Sequence, residues 1–367
     1  MKALPPDIPE SVLQAQQHAA ASGLIYVTDA EPGFYRLRRG KGFHFVDADR
    51  QRVTEAQTLD RIRKLAIPPA YTDVWICRHE RGHLQATGRD ARRRKQYRYH
   101  ARWRTTRDDG KFSRMVEFGS QLPRLRRRLK RDLAMPGLPK EKVLAVVVTL
   151  LDETLIRIGN EEYARTNRSY GLTTLRDHHV RFLRDGRASF CFRGKSGREH
   201  EIVLDDRRLA RIIRKCQAIP GQQLFQYLDD DGKRQPIDSG MVNDYLREAM
   251  GGNGEGFTAK DFRTWGGTLR AIGFLSCQVR KEPMSARAFN QCVAATARDV
   301  ANELGNTPAV CRKSYINPLV FDAWRSGALG NLIPVNSVAS KHLEKLALQL
   351  LRAHKPKPAL SRKRSAG

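Results

Sequence analysis

Four segments of the chain place a phosphate-directed side chain where local structure would hold it. They are Leu155-Ile156-Arg157-Ile158-Gly159, Arg193-Gly194-Lys195-Ser196-Gly197, Lys260-Asp261-Phe262-Arg263-Thr264-Trp265-Gly266, and Gly305-Asn306-Thr307-Pro308 running on to Tyr315. Arg157 falls in an apolar run that reads as helical, and Arg263 inside a helix between Phe262 and Trp265. A guanidinium is expensive to bury in such places without a partner. Phosphate is a partner that suits two arginines, because each planar fork binds its oxygens in pairs. Taken singly, each residue has a plain structural reading: a half-buried arginine usually pairs with a carboxylate, Lys195 sits where turns carry lysine, and Tyr315 suits the core or its rim. Order and spacing along the chain are what join them.

Composition agrees with a phosphate-bearing partner. Of 367 residues, 67 are Lys or Arg and 39 are Asp or Glu, a formal net charge of +28. A field of that size requires a polyanion, and each phosphate neutralised on duplex DNA releases condensed counterions. A membrane surface is the other common polyanion, but no segment approaches the ~20 apolar residues of a spanning helix and no basic amphipathic anchor stands out. Met1 to Pro9 have no apolar core behind a basic start, so no secretory signal is expected, and the chain is placed in the cytoplasm, associated with the nucleoid. The six cysteines, Cys77, Cys191, Cys216, Cys277, Cys292 and Cys311, form no C-x-x-C pair, which argues against a zinc site and for reduced, mostly buried thiols.

The elements that must hold the four segments follow from periodicity. Residues 24–28, 34–37 and 43–46 read as short strands separated by Glu31-Pro32-Gly33 and Gly40-Lys41-Gly42. Residues 58–65 read as a helix stopped by Ile67-Pro68-Pro69, and 73–77 and 83–86 as paired strands. From Ser113 the apolar period changes to about 3.6, giving a long basic helix with Met115, Phe118, Leu122, Leu125 and Leu129 on one side, then a second helix over 140–156. Period 2 returns in 172–175, 180–183, 189–192 and 199–204, an antiparallel meander turning at Asp185-Gly186 and again at 193–197. Helices are then expected at 207–216, at 241–250 with Ser239 as cap, at 260–272 capped by Thr258, and at 286–304 stopped by Gly305. Thr307-Pro308 opens a short helix that carries Tyr315, and Asn317-Pro318 opens the next.

The expected fold class is therefore α+β. A small strand-rich N-terminal domain spans 1–108, a mainly helical domain with a small antiparallel sheet spans 109–330, and a C-terminal helix and basic tail span 331–367, the tail expected to be disordered. Near the first boundary, Arg89, Arg92, Arg93, Arg94, Lys95, Arg98, Arg102, Arg104 and Arg107 interleave with Tyr97, Tyr99 and Trp103. Cations for phosphates beside flat rings for sugars or bases suit a nucleic-acid surface; the alternative is a solvated strand whose aromatics face a core.

Taken together, Arg157, Lys195 in a hairpin, Arg263 in K-D-F-R-T-W-G, and the G-N-T-P turn followed by Tyr315 resemble the catalytic domain of the type IB DNA topoisomerases, above all the compact poxviral and bacterial ones. The likeness extends through Tyr163, Asn167 and Gly171-Leu172-Thr173-Thr174-Leu175. Upstream, Ile67-Pro68-Pro69, Gln85-Ala86-Thr87-Gly88 and Lys95-Gln96-Tyr97 resemble that family's amino-terminal DNA clamp, so that residues from about 20 to 325 are covered.

The resemblance implies a catalytic domain of the tyrosine recombinase/topoisomerase IB type. It casts Tyr315 as the nucleophile that joins a DNA 3'-phosphate and frees a 5'-hydroxyl, Arg157, Arg263 and Asn306 as donors to the non-bridging oxygens, and Lys195 as general acid for the departing oxygen. Arg89, Arg93, Lys95, Gln96, Tyr97, Tyr99 and Tyr163 are the implied DNA contacts. A monomer clamping duplex DNA is implied, with no cofactor, ATP or metal, since arginine and lysine supply the charge. The chain departs from the poxviral pattern at Asn306, where those enzymes carry histidine, and at Asn160 and Glu162, where they carry lysines, so their preferred cleavage sequence does not transfer. Two rivals share part of the pattern. A tyrosine recombinase typically has histidine three residues before the second arginine, where this chain has Lys260, and a helical N-terminal domain; a non-catalytic nucleoid protein would not require all five groups.

Overall fold

The computed structural model of the chain describes residues 10–40, 42–91, 93–103, 112, 114–229, 231–251, 256–279, 284–329 and 340–353. It divides into two compact units, Met1–Lys111 and Phe112–Gly367. The first carries α1 (Glu10–Ala21), β1 (Phe34–Arg39), β2 (Gly42–Val46), α2 (Ala56–Lys64), β3 (Thr72–Ile76), β4 (Leu84–Arg89) and β5 (Lys95–Tyr99). The strands form one antiparallel sheet in the order β2-β1-β3-β4-β5. Alternation along β3 sorts its side chains: Val74 and Ile76 pack with Ile62 of α2, while Trp75 and Cys77 pack with Val27 and Leu84. The segment 24–28, expected as a strand, makes only an isolated bridge between Ile25 and Gly82, and the Val27 amide donates to His83 Nδ1 at 3.1 Å. Alternating apolar residues that seat a loop against a sheet look the same in sequence as those of a strand.

The second unit runs α3 (Met115–Leu133), α4 (Lys140–Thr154), α5 (Glu161–Asn167), β6 (Val180–Phe182), β7 (Ala188–Arg193), β8 (Glu199–Leu204), α6 (Arg207–Gln217), β9 (Gln226–Leu228), β10 (Arg234–Pro236), α7 (Ser239–Met250), α8 (Ala259–Ser276), α9 (Ala286–Leu304), α10 (Pro308–Ser314), α11 (Leu319–Arg325) and α12 (Ser340–Ala353). The mixture of a strand-rich first unit and a mainly helical second one is the α+β class expected. Helix α4 is the centre of the second unit, with Val143 to Val148, Leu150 and Leu151 all buried; a helix apolar all round must be enclosed on every side. Helices α3, α7 and α8 pack against it, and Phe118 of α3 lies edge-on to the rings of Phe257, Phe262 and Trp265. β6, β7 and β8 form the expected meander.

Several local expectations need correction. Residues 172–174 are a buried 3-10 turn rather than a fourth strand, because the Thr174 hydroxyl hydrogen-bonds both backbone groups of Gly171 and curls the segment. The cap of α7 is Asp238, whose carboxylate accepts from the Met241 amide at 2.8 Å, and Ser239 is the first helical residue. The hairpin of β9 and β10 has no counterpart among the expected elements. Helix α12 buries Leu346, Ala347, Leu350 and Leu351 in the core of the second unit, and its Glu344 shares Arg126 of α3 with Asp152 of α4, at 2.7 and 2.8 Å. All six cysteines are free thiols, but Cys191 and Cys277 are exposed. The basic tail, with Arg92, Arg104 and Arg107, lies outside the described residues. Among the described residues no helix is long and apolar enough to cross a membrane.

Candidate active site

Helix α4 ends at Thr154, and Leu155 takes a left-handed conformation (φ 54°) that turns the chain out of the helix. Arg157 therefore lies beyond the helix and not within it. Its segment is held by backbone bonds to the 3-10 turn, from Leu172 N to Arg157 O at 2.9 Å and from Thr173 N to Ile158 O at 2.7 Å. The side chain is thus aimed by a pinned backbone on a stretch too short to form a strand of its own.

Arg263 sits one turn inside α8, whose start is fixed by a capping box: the Thr258 amide and hydroxyl both donate to Asp261, at 2.8 and 2.9 Å. The side chain is buried, and its guanidinium donates to the carbonyls of Leu155 and Leu304, the latter at 2.7 Å. Those carbonyls close α4 and α9, where helix ends carry partial negative charge. Two helix termini thus hold the cation where a carboxylate was the ordinary expectation. Neither Arg157 nor Arg263 is paired to a carboxylate among the described residues.

Tyr315 caps the C-terminus of α10. Arg263 stands over its ring, 5.2 Å from the centroid, and hydrogen-bonds the phenol. The Tyr315 carbonyl accepts from the Thr268 hydroxyl at 3.2 Å, an approach that Gly267 permits: a Cβ there would sit 2.8 Å from the same oxygen. One face of α8, with Arg263, Gly267 and Thr268, therefore sets both the ring and the backbone of Tyr315.

Asn306 lies between two caps, Gly305 ending α9 in a left-handed turn (φ 58°) and Thr307 opening α10. Its Oδ1 accepts from Arg157, which leaves Nδ2 as the remaining donor of the side chain. Asn306 Nδ2 and Arg263 Nε are both buried, and neither has a hydrogen-bond partner among the described residues. Lys195 opens the exposed turn Lys195–Gly197 between β7 and β8. That hairpin lies against the Asn306 turn, for Arg198 donates to the Asn306 carbonyl at 2.8 Å.

The electrostatics follow from this packing. Burial alone would raise the Tyr315 phenol, but the charge and hydrogen bond of Arg263, with the charges of Arg157 and Lys260, outweigh it and leave the pKa below its ordinary value near 10. Burial lowers the pKa of Arg157 and Arg263, and the charge of Arg263 lowers Arg157 further, but a guanidinium remains charged at neutral pH. Sequence reasoning assigns no site role to Arg198, His200 or Lys260. His200 has one signal, a polar residue at the phase of β8 that otherwise carries Ile202 and Leu204.

The proposed DNA contacts divide. On the edge strand β5, Lys95, Tyr97 and Tyr99 share a face: the two tyrosine rings stack at 6.0 Å and the Lys95 ammonium stands 5.6 Å from the Tyr97 centroid. Lys95 also pairs with Asp29 at 2.6 Å, so its charge is already partly met. Gln96 alternates to the other face and donates to Asp90 at 3.0 Å. Arg89 and Arg93 are exposed beside each other, Arg89 donating to the Arg93 carbonyl at 3.0 Å and lying 3.7 Å from Asp73. Tyr163 is exposed on α5 of the second unit.

The chain is similar in sequence to known proteins. Residues 100–320 match the family described as eukaryotic DNA topoisomerase I, catalytic core, and residues 42–90 match bacterial DNA topoisomerase IB, N-terminal domain. The chain is 34% identical to DNA topoisomerase 1B of Acanthamoeba polyphaga mimivirus, over 80% of this chain and 88% of the viral one. It is 23% identical to DNA topoisomerase 1B of vaccinia virus (strain Copenhagen), over 71% of this chain and 80% of the other. With DNA topoisomerase 1 of Mycosarcoma maydis the identity is 24%, over 60% of this chain and 23% of the longer fungal protein.

Proposed function

The chain belongs to the type IB DNA topoisomerases, and on that premise we propose that it relaxes supercoiled duplex DNA through a transient 3'-phosphotyrosyl bond made by Tyr315. The Tyr315 oxygen attacks a backbone phosphorus after its proton passes to solvent. The new O–P bond forms as the bond to the 5'-oxygen breaks, and Lys195 gives that oxygen its proton. Religation runs the same steps backwards after the nicked end has rotated, so the ester conserves the bond energy and no nucleotide is consumed. Arg157, Arg263 and Asn306 stabilise the charge that gathers on the non-bridging oxygens, each such donor contributing roughly 10²- to 10³-fold. The protein acts as a monomer on duplex DNA in the cytoplasm, with Arg89, Arg93 and the Lys95, Tyr97 and Tyr99 face of β5 supplying contacts in the N-terminal unit.

One observation carries the reading. Two buried donors, Asn306 Nδ2 and Arg263 Nε, lack acceptors among the described residues, beside a phenol and two guanidiniums that no carboxylate neutralises. Buried polar atoms are seldom left unmatched, and an anionic phosphate is the ligand that matches all of them. The test is incubation with supercoiled plasmid in EDTA without ATP. A ladder of relaxed topoisomers is expected; relaxation only on adding magnesium or ATP would overturn the reading.

Asn306 gives a narrower prediction. Asn306→Ala removes one donor and should slow single-turnover cleavage about 10- to 10³-fold while duplex affinity, which rests on many phosphate contacts, stays within error. A native cleavage rate with a lowered melting temperature would make Asn306 a helix-turn residue only.

A further inference from the structure

We infer that His200 is a positioning residue that ties the Lys195 hairpin to the Gly305–Asn306 turn, so that the acid and the amide donor reach the phosphate as one unit. The inference rests on the general-acid role of Lys195 proposed above. The imidazole points inward from β8 and stacks on Phe192 of β7, centroids 5.1 Å apart and planes at 15°. Two glycines from separate elements press on the ring. A Cβ at Gly194 would come 2.6 Å from Cδ2 and Nε2, and one at Gly305 would come 2.4 Å from Cε1. Gly305 needs glycine for its left-handed backbone in any case. Gly194 does not: its φ of −96° is open to any residue, so what it supplies is clearance for His200. Gly194 is also the residue immediately before Lys195, so the ring fixes the root of the acid's turn. Arg198 adds a second tie, from the same hairpin to the Asn306 carbonyl at 2.8 Å.

The charges facing the ring are Arg157 on the segment after α4, Arg263 on α8 and Arg198 on the hairpin itself. Burial, then these three cations, hold the imidazole below its ordinary pKa, so it packs as a neutral ring at pH 7. Protonation on acidification places a fourth cation among three. The tie is therefore intact at neutral pH and is lost as pH falls through the ring's lowered pKa, which lies below the ordinary histidine value near 6.5.

The experiment compares His200→Ala, Gly194→Ala, the double variant and Lys195→Ala in single-turnover cleavage, on ordinary duplex and on duplex whose bridging 5'-oxygen is sulfur, a leaving group that needs no proton. His200→Ala should slow ordinary cleavage by about 10- to 10²-fold, the scale of a misplacement near 1 Å, and lose much less on the sulfur substrate. Gly194→Ala should be harmful beside His200 and close to harmless in the His200→Ala background, because the collision is gone. The extra loss of rate that His200 protonation adds on acidification should vanish in His200→Ala, leaving only the dependence set by the Tyr315 phenol. Equal deficits of His200→Ala on both substrates, or a harmless Gly194→Ala beside native His200, would overturn the proposal. If Lys195→Ala itself shows no sulfur rescue, the general-acid role fails instead, and the Gly194–His200 coupling alone decides the positioning role. Melting temperatures of all four variants separate a slow enzyme from an unfolded one.

Discussion

Tyr315→Phe is expected to form no covalent adduct with DNA while binding duplex as tightly as the unaltered protein. The substitution deletes the attacking oxygen and little else. The ring keeps its place under the Arg263 guanidinium, and the backbone bond from the Thr268 hydroxyl to the Tyr315 carbonyl does not involve the phenol. Cleavage should therefore fall to background with no change in the DNA dissociation constant, measured by denaturing gel and by equilibrium titration of the same preparation. An adduct formed by the phenylalanine variant would move the nucleophile to another side chain. The pH profile carries a linked expectation. The reactive form is the phenolate, and cations leave its pKa below 10, so cleavage should rise with pH through that lowered value. Arg263→Ala removes the largest favourable contribution and should push the rise to higher pH.

Lys195→Ala should lower cleavage of ordinary duplex by about 10²- to 10⁴-fold, the usual span for a general acid. Replacement of the bridging 5'-oxygen by sulfur should restore most of that loss. The position of Lys195 suits proton delivery, because the residue is exposed on a three-residue turn whose base is anchored through Arg198 to the Asn306 carbonyl. Such an ammonium follows the departing strand without losing its register. A Lys195→Ala deficit that is identical on both substrates would assign the proton to another group.

Much of the frame is legible in the sequence because its signals are local. Thr258 and Asp261 form a capping box that fixes the start of α8, and Gly305 ends α9 in a left-handed turn that only a few residues adopt. The meander of β6, β7 and β8 is legible from period-2 alternation and the Asp185-Gly186 turn. The features that sequence misplaces are settled by partners distant along the chain. Leu172 to Leu175, with two β-branched threonines, reads as a strand, but the Thr174 hydroxyl curls it into a turn that holds the Arg157 segment. Arg157 reads as part of the preceding helix because nothing in the apolar run announces the left-handed Leu155.

The candidate site divides in the same way. Order and resemblance single out Arg157, Lys195, Arg263, Asn306 and Tyr315, and the fold gathers Arg157, Arg263, Asn306 and Tyr315 through direct contacts, with the Lys195 hairpin against the Asn306 turn. The partners of Arg263 are two helix-end carbonyls, which no sequence pattern encodes. His200 escapes a reading of the sequence because its value lies in two glycine backbones more than a hundred residues apart.

The polarity of the covalent bond tests the central claim most directly. A duplex is labelled on one strand at the 5' end in one sample and at the 3' end in another, cleaved with excess protein and stopped with detergent. The account predicts that the 5'-labelled fragment migrates with the protein, bound through its 3'-phosphate to a peptide containing Tyr315, and that the 3'-labelled fragment runs free with a 5'-hydroxyl. Protein on the 3'-labelled fragment, or a 5'-labelled fragment released with no protein attached, would contradict it.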